Sequence, residues 1–261
     1  MQLKGKTILL TGATGGIGRL VATRLHAAEA KLVLGCFMED ALRELNEELG
    51  GAHVTACADL STMDGRQTVV DACVEAGGID AVINLAGILD FGLFEQQPEG
   101  LLEKMVAINL TAPILLSSAL LPQLKSKSRS VVLNVGSIFG SIGHPGFTAY
   151  CATKSGLMRF SEALGRELAD STVRVAYIAP RATNTGLNDD RVNGMNKELG
   201  IKTDSPELVA DEIVATLQSS ASVRYLGWPE KLFVRLNALL PSVVGSALIK
   251  NLAIIKRYAA R

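Results

Sequence analysis

The chain has 261 residues, and its 26 Lys and Arg balance 26 Asp and Glu, so the formal net charge at pH 7 is zero. This balance gives the chain as a whole no attraction to nucleic acid or to an anionic surface. Apolar residues make up 48% of the sequence and charged residues 20%, which excludes a disordered protein. The length suits one α/β domain with a large core.

Short β-branched runs alternate with longer helical patterns along most of the chain, and such alternation predicts βαβ units. The expected strands are 7–10, 32–34, 54–56, 81–83, 131–135 and 173–177. Parallel strands joined by right-handed crossovers form a doubly wound sheet. We therefore predict a single Rossmann-like α/β domain over residues 1–261, with a parallel sheet and helices on both faces.

The four cysteines and three histidines show no metal-binding spacing. There is no Cys-x-x-Cys pair, so we expect buried reduced thiols and no metal site. These cysteines are Cys36, Cys57, Cys73 and Cys151. The N-terminal residues lack the apolar core and cleavage site of a secretory signal, which favours a cytoplasmic protein.

A glycine-rich turn follows the first predicted strand and precedes a helical pattern. Residues 11–18 read Thr-Gly-Ala-Thr-Gly-Gly-Ile-Gly. In this context Gly12 would allow a tight turn, Gly16 would let backbone N–H groups approach a diphosphate, and Gly18 would let the helix pack on the sheet. No Gly-Lys-Ser or Gly-Lys-Thr follows, which disfavours an NTPase. The turn therefore predicts dinucleotide binding.

Tyr150 and Lys154 lie four residues apart in a helical pattern and therefore share one helix face. Ser137 follows the strand-like run 131–135, which places it at the carboxyl edge of the sheet, where ligands of such folds bind. A phenol has an ordinary pKa near 10, so acid–base work near neutral pH requires neighbours that lower this pKa. We expect the ammonium of Lys154 to do so.

The order of these motifs resembles the short-chain dehydrogenase/reductase family, in its shorter, single-domain branch. The resemblance is carried by Thr-Gly-x-x-x-Gly-x-Gly, by Asn84-Leu85-Ala86-Gly87, and by Asn109, Ser137, Tyr150 and Lys154. It implies Tyr150 as general acid/base, Ser137 as a hydrogen-bond partner of the substrate oxygen, Lys154 on the nicotinamide ribose, and Asn109 positioning a water that links Lys154 to solvent.

The resemblance also implies a set of dinucleotide contacts. These are Gly12, Thr14, Gly15, Gly16, Ile17, Gly18, Phe37, Asp59, Leu60, Asn84, Ala86, Gly87, Tyr150, Lys154, Pro180, Arg181 and Thr183. Asp59 has an alternative role as a capping residue for the next helix. The cofactor is NAD or NADP, and we favour NAD because Gly15 stands where NADP-using relatives carry a basic residue and because Glu39 and Asp40 follow the second strand.

The polar stretch 181–204 is longer than an ordinary connection and is expected to cover the substrate. Ser205 and Pro206 then predict the start of a helix. Apolar residues in and opposite this loop favour an apolar or lipid-like substrate, with plain packing as the alternative. These residues are Phe91, Leu93, Phe94, Leu187, Val192, Met195 and Leu199.

Two charged or titratable residues near the expected pocket have more than one interpretation. Arg181 replaces the usual glycine of the family's Pro-Gly, and could bind an anionic substrate group, a cofactor phosphate, or a surface carboxylate such as Asp189. His144 lies between Ser137 and Tyr150, and is either a pocket residue or an ordinary loop histidine.

The C-terminal extension, 228–261, combines many large apolar residues with scattered cations. Its apolar run 236–249 is interrupted by Pro241 and Gly245 and is too short to span a bilayer. Two interpretations stay open: peripheral contact with a membrane interface, and packing against protein within or between subunits. The family resemblance also implies a homodimer or homotetramer.

The sequence therefore predicts an NAD(P)-dependent oxidoreductase that transfers hydride between a nicotinamide and a carbonyl or secondary alcohol. A non-catalytic dinucleotide-binding regulator on the same fold is the alternative. A hydrolase using Ser137 is disfavoured because no Gly-x-Ser-x-Gly surrounds that serine.

Overall fold

Seven parallel strands form one sheet in the computed structural model, which describes residues 1–260. The strands are β1 (Thr7–Thr11), β2 (Lys31–Cys36), β3 (Val54–Cys57), β4 (Ala81–Asn84), β5 (Ser130–Val135), β6 (Val173–Ala179) and β7 (Val223–Tyr225). Their order across the sheet is β3-β2-β1-β4-β5-β6-β7, and all pairings are parallel. The Rossmann-like fold class is confirmed. The six predicted strands lie within β1 to β6, whereas β7 was not predicted.

Eleven α-helices cover the sheet and extend beyond it within residues 1–260. They are α1 (Gly16–Ala27), α2 (Glu39–Glu48), α3 (Met63–Glu75), α4 (Glu99–Val106), α5 (Ala112–Lys125), α6 (Thr148–Glu167), α7 (Asp190–Glu198), α8 (Pro206–Gln218), α9 (Glu230–Leu239), α10 (Pro241–Lys250) and α11 (Leu252–Ala259). The start of α8 is as predicted: the Ser205 hydroxyl accepts a hydrogen bond from the Leu208 N–H at 3.2 Å, and Pro206 occupies the first turn.

The two faces of the sheet bury alternate residues of each strand, as a period of two requires. On one face Ile8 and Leu10 pack in a core with α1, α2 and α8. On the other face Leu9 packs in a core with α3, α5 and α6. Strands buried on both faces explain why the chain reads as continuous apolar runs at these positions.

The helical run Glu99–Lys125 comprises α4, a π-helical turn at Ala107–Thr111 and α5. By length and composition it is apolar enough to cross a membrane. Three of its leucines are nevertheless buried in the core beneath the sheet: Leu116, Leu120 and Leu124. The run therefore packs as a core helix of the α/β fold.

Helices α9 and α10 pack beside strand β6, and α11 packs on the stretch 181–204. Val234 of α9 and Val244 of α10 are buried in a cluster with Tyr177 of β6. Ile255 of α11 is buried in a cluster with Val192 and Met195 of α7. The stretch 181–204 was predicted as a loop, but it contains α7, because Asp189 caps that helix by accepting from the Val192 N–H.

All four thiols are free, but only three are buried. Cys57 is exposed at the end of the edge strand β3, which corrects the expectation that every cysteine is buried. Within residues 1–260 no three His, Cys, Asp or Glu side chains lie close enough together to hold a metal ion.

Candidate active site

A cavity of about 670 Å³ lies at the carboxyl ends of the central strands. Its lining comes from the turns after β1, β2, β3, β4, β5 and β6. The strand order reverses between β1 and β4, so the chain leaves the sheet in opposite directions on the two sides of this point. Open α/β sheets bind their ligands at such a switch point.

One end of the cavity is formed by the glycine turn after β1. Gly12 has φ of +69°, and a Cβ there would lie 2.9 Å from the Ala86 Cα. A Cβ on Gly18 would collide with the carbonyl oxygen of Gly12. Helix α1 begins at Gly16 with no acidic residue in its first turn, and Gly15, Gly16 and Ile17 line the cavity. The N-terminus of α1, the positive end of its helix dipole, therefore lies at a glycine-lined part of the cavity. Such a position suits the negative charge of a diphosphate.

The next part of the cavity is formed by the ends of β2 and β3. Phe37 lines it with a 70% exposed ring, and Thr14 lines it with its hydroxyl 2.7 Å from the Cys36 Sγ. Asp59 and Leu60, in the segment after β3, line the same part of the cavity. One Asp59 oxygen accepts from both the N–H and the hydroxyl of Ser61, which lowers the pKa of Asp59. Asp59 thus holds the turn before α3, while Thr62 is the actual cap of that helix.

The segment after β4 crosses the middle of the cavity. The Leu85 and Ala86 amides both donate to the Thr11 hydroxyl at 3.1 Å, and Ala86 and Gly87 line the cavity. Asn84 does not line it, contrary to expectation. Its side chain donates to the Asn134 Oδ1 at 2.8 Å, because these two residues are paired in register on β4 and β5 and therefore point to the same face.

Tyr150, Lys154 and Ser137 meet at the centre of the cavity lining. Tyr150 and Lys154 share one face of α6, and the Lys154 Nζ lies 5.7 Å from the centre of the Tyr150 ring. The Lys154 ammonium donates to the Val135 carbonyl at 3.1 Å. Ser137 lies two residues after the end of β5, and its side chain is hydrogen-bonded to Tyr150. Two side chains of α6 and one from the segment after β5 thus lie together in the cavity lining.

Burial dominates the electrostatics of this group. It raises the pKa of Tyr150 to about 12, and the hydrogen bond with Ser137 opposes that rise. Burial also lowers the pKa of Lys154 to about 8, because the charged form loses its hydration. The expected lowering of the Tyr150 pKa by Lys154 is not among the causes here, since the ammonium is directed at the Val135 carbonyl.

Asn109 lies in the π-helical turn and is completely buried. Its Oδ1 accepts from the Ile88 N–H and its Nδ2 donates to the Ile88 carbonyl, both at 2.8 Å. A Cβ on Gly87 would lie 3.2 Å from the Asn109 Oδ1 and 3.6 Å from the Lys154 Nζ. Asn109 therefore holds the segment after β4 beside Lys154, and its amide contacts the Ile88 backbone and the Thr153 hydroxyl. Its role on a water stays a prediction.

Arg181 lines the cavity but is neutralised by two carboxylates of the chain. It donates to Asp204 at 2.6 Å and to Glu230 at 3.2 Å, and its side chain is only 14% exposed. The predicted partner Asp189 instead caps α7 and pairs with Arg191. A free cation for a substrate or phosphate anion is therefore not present at this position.

The residues beside Arg181 reach toward the glycine turn. Pro180 and Thr183 line the cavity, and the Thr183 hydroxyl donates to the Arg181 carbonyl. The Thr185 Cγ2 lies 3.5 Å from where a Cβ of Gly16 would be. The stretch after β6 therefore extends along the cavity from Pro180 to the glycine turn.

The end of the cavity away from the glycine turn, where a substrate would bind, is lined mainly by apolar side chains. They are Ile88, Leu89, Phe139, Phe147, Leu187, Val192, Met195 and Ile201. Phe91 was expected to line this end, but it is buried against Phe147 at a ring distance of 4.8 Å. Leu93 and Phe94 also lie away from the lining, and Phe94 is exposed.

Several residues of the cavity lining were not predicted, and His144, which had two interpretations, is one of the lining residues. Leu89, Phe139 and Phe147 carry no motif, and only their proximity in sequence to Ser137 or to β4 could have indicated them. His144 lines the cavity and stacks on Phe139 at 4.9 Å. Burial lowers its pKa, so the imidazole is neutral at pH 7.

The family profile of short chain dehydrogenases matches residues 6–196. The chain belongs to the short chain dehydrogenase family. Nodulation protein G of Rhizobium sp. (strain N33) is 33% identical over 198 residues, which cover 76% of this chain and 80% of that protein. This short chain dehydrogenase is therefore an oxidoreductase, and the non-catalytic alternative loses its support.

Solved structures agree on the fold. A 3-ketoacyl-(acyl-carrier-protein) reductase from Brucella melitensis, complexed with NADH, is 26% identical with a TM-score of 0.78, over 85% of this chain and 96% of that one. A short chain dehydrogenase from Burkholderia cenocepacia, in complex with NADP, is 22% identical with a TM-score of 0.81, over 95% and 99%. One relative holds each dinucleotide, so the likeness itself does not select between them.

Proposed function

We propose that this short chain dehydrogenase transfers hydride between a nicotinamide dinucleotide and a carbonyl or secondary alcohol group of an apolar, lipid-like molecule. The observation that carries the proposal is the meeting of Tyr150, Ser137 and Lys154 in the cavity whose other end is the glycine turn. The dinucleotide, when bound, supplies or accepts the hydride.

The residues of the chain handle the oxygen and its proton. The pKa of Tyr150, about 12, keeps the phenol protonated at neutral pH, so its hydroxyl can donate a proton to a developing alkoxide. Ser137, already hydrogen-bonded to Tyr150, would hold the same oxygen. Lys154 carries its proton up to its pKa of about 8, and its ammonium would hold the nicotinamide ribose.

The dinucleotide would be held along the whole cavity. Gly12, Gly15, Gly16, Ile17 and Gly18 would take the diphosphate, and the adenosine would lie by Thr14, Phe37, Asp59 and Leu60, with Ala86, Gly87, Pro180, Arg181 and Thr183 along the remainder. Asn84 would support this binding indirectly, through the sheet. Apolar lining at the other end supports an apolar substrate, because burial of apolar surface contributes about 25 cal/mol per Å².

NAD is the cofactor that the charges around the adenosine end favour. Arg43 pairs with Asp40 at 2.8 Å, Arg19 with Glu48 at 2.5 Å and Lys104 with Asp59 at 3.8 Å, so these three cations are engaged by carboxylates. Gly15 has φ of −66° and its Cβ would lie 3.4 Å from the nearest atom, so a side chain fits there. Gly15→Arg is therefore expected to raise kcat/KM for NADPH relative to NADH, and an unchanged ratio would contradict this assignment.

The test of the function is a panel of ketones, quinones, acyl-chain and steroid-like carbonyls with NADH and NADPH, followed by nicotinamide absorbance. Tyr150→Phe is expected to lower turnover by about 10³-fold while the dinucleotide Kd changes less than about threefold. Turnover by Tyr150→Phe at the wild-type rate, or failure of the intact chain to bind either dinucleotide, would refute the proposal.

We also propose that the protein acts in the cytoplasm as a homodimer or a homotetramer. Its support is the family resemblance together with the half-exposed Val106 and Leu115 on the helical run that carries Asn109. Light scattering on the purified chain measures the oligomer directly, and a monomer at all concentrations would refute it.

A further inference from the structure

The outer surface of α9 and α10 is apolar and uncovered. Seven large apolar side chains between residues 228 and 249 are exposed, and we call them the C-terminal apolar face. They are Trp228, Leu232, Phe233, Leu239, Leu240, Val243 and Ile249. Leu239 is 80% exposed and Trp228 67%. Contiguous exposed apolar side chains mark an interaction surface, because burying them elsewhere in the chain would be favourable.

These side chains do not belong to the packing of the helices on the sheet. Val234 and Val244 already bury the opposite sides of α9 and α10 in the cluster around Tyr177. Leu232 and Leu239 lie seven residues apart, two helical turns, on the outer side of α9, whereas Leu236 packs against the inner cluster. Each helix is therefore apolar on two sides, and intrachain packing accounts for only one of them.

Among the described residues the unpaired charges around the C-terminal apolar face are positive, because Glu230 at the start of α9 pairs with Arg181. Residues 231–260 contain five Lys or Arg and no Asp or Glu, in a chain whose net charge is zero. Lys231 and Arg235 flank the leucines of α9, and Lys250 ends α10. Among the described residues these three form no ion pair within 4 Å, whereas Arg257 pairs with Glu198.

We propose that the C-terminal apolar face docks on the surface of an anionic lipid membrane. Apolar side chains bordered by unpaired cations bind a bilayer interface through two effects: burial of apolar atoms among acyl chains and attraction to anionic headgroups. The helices lie in the interface and do not cross it.

A second copy of this chain is a poorer occupant of the same face. In a two-fold dimer the same patch meets itself, so Lys231, Arg235 and Lys250 of both copies would be brought together without a carboxylate between them. Like charges oppose such an association, whereas anionic lipid headgroups neutralise them.

Docking would also bring the substrate cavity close to the lipid. Helix α9 begins at Glu230, which lines the cavity and pairs with Arg181, and α11 packs on α7, which lines it as well. An apolar substrate could then enter from the membrane. This last consequence rests on the proposed function, whereas membrane docking itself does not.

Trp228 is the sole tryptophan of the chain and reports directly on this face. The full chain is mixed with vesicles of phosphatidylcholine containing a quarter phosphatidylserine, and with pure phosphatidylcholine vesicles. With the anionic vesicles, Trp228 emission is expected to shift to shorter wavelength and to be quenched by brominated phosphatidylcholine, and the chain is expected to float with the vesicles. Higher salt should weaken this binding.

Matched variants separate the two contributions. Leu239→Ser/Leu240→Ser/Val243→Ser is expected to abolish flotation, and Lys231→Gln/Arg235→Gln to weaken the vesicle partition coefficient by roughly tenfold or more. Met63→Ser/Val74→Ser removes equally exposed apolar side chains from α3 and is expected to leave flotation unchanged. Dinucleotide binding and circular dichroism of each variant show that it is folded.

Two results would overturn the proposal: no flotation or emission shift of the folded wild-type chain, and equal flotation of the serine variant and the α3 control. In the first case, a change from dimer to monomer in the serine variant would identify a second copy of the chain as the occupant. Loss of turnover with intact flotation would refute the proposed function and leave membrane docking standing.

Discussion

Replacing Lys154 by Met is expected to stabilise the folded protein while abolishing turnover. Burial lowers the pKa of Lys154 from 10.5 to about 8, which means that holding its charge inside the protein costs about 3 kcal/mol at neutral pH. Met has nearly the same shape and no charge. The substitution also leaves the Val135 carbonyl without the Lys154 donor, which costs about 1 kcal/mol. A net gain of about 2 kcal/mol is therefore expected.

The pH dependence of this gain follows from the same pKa shift. Below pH 8 the folded and unfolded chains both carry the Lys154 proton, so the full cost is present. Between pH 8 and 10.5 the folded chain releases the proton while the unfolded chain keeps it, so wild-type stability rises with pH. The advantage of Lys154→Met should therefore shrink from about 2 kcal/mol at neutral pH to near zero at about pH 10.

The measurement is urea unfolding of both proteins without dinucleotide, followed by circular dichroism over this pH range. Lys31→Met, at an exposed residue of β2, is the control and should change the free energy of unfolding by less than about 0.5 kcal/mol. A Lys154→Met protein that is less stable than wild type at neutral pH, or an advantage independent of pH, would refute the reasoning.

Three further substitutions test the site. Gly18→Ala should abolish dinucleotide binding in titration calorimetry, because its Cβ collides with the Gly12 carbonyl; wild-type affinity would contradict this geometry. Asn109→Leu should cost about 2–3 kcal/mol in urea unfolding and weaken dinucleotide binding, since two hydrogen bonds to Ile88 are lost; a neutral effect would argue against its holding role. Arg181→Met should cost about 3 kcal/mol by leaving two carboxylates unpaired, whereas an Arg181 that serves mainly a ligand would leave the unfolding free energy unchanged.

The sequence by itself determined the central fold and brought together the residues of the candidate reaction centre. Strands β1, β2, β4, β5 and β6 were predictable because each is buried on both faces and therefore reads as a short apolar run. The edge strand β3 has only Ala56 buried and was predicted from its place in the alternation of strands and helices. The glycine turn was predictable because the backbone around Gly12 and Gly18 tolerates no side chain. Tyr150 and Lys154 share a face by helical spacing alone, and Ser137 reaches them because it follows a strand of the same sheet.

Only the tertiary structure decided the partners that lie far apart in sequence. Arg181 meets Asp204 and Glu230 because β6, the substrate loop and α9 come together at the cavity, and no local pattern encodes that meeting. Asn84 turns away from the cavity because its register pairs it with Asn134. Strand β7 has three residues with partly solvated side chains, so it carries no apolar run to predict it. Which side of α9 and α10 remains exposed likewise depends on which side the sheet has already buried.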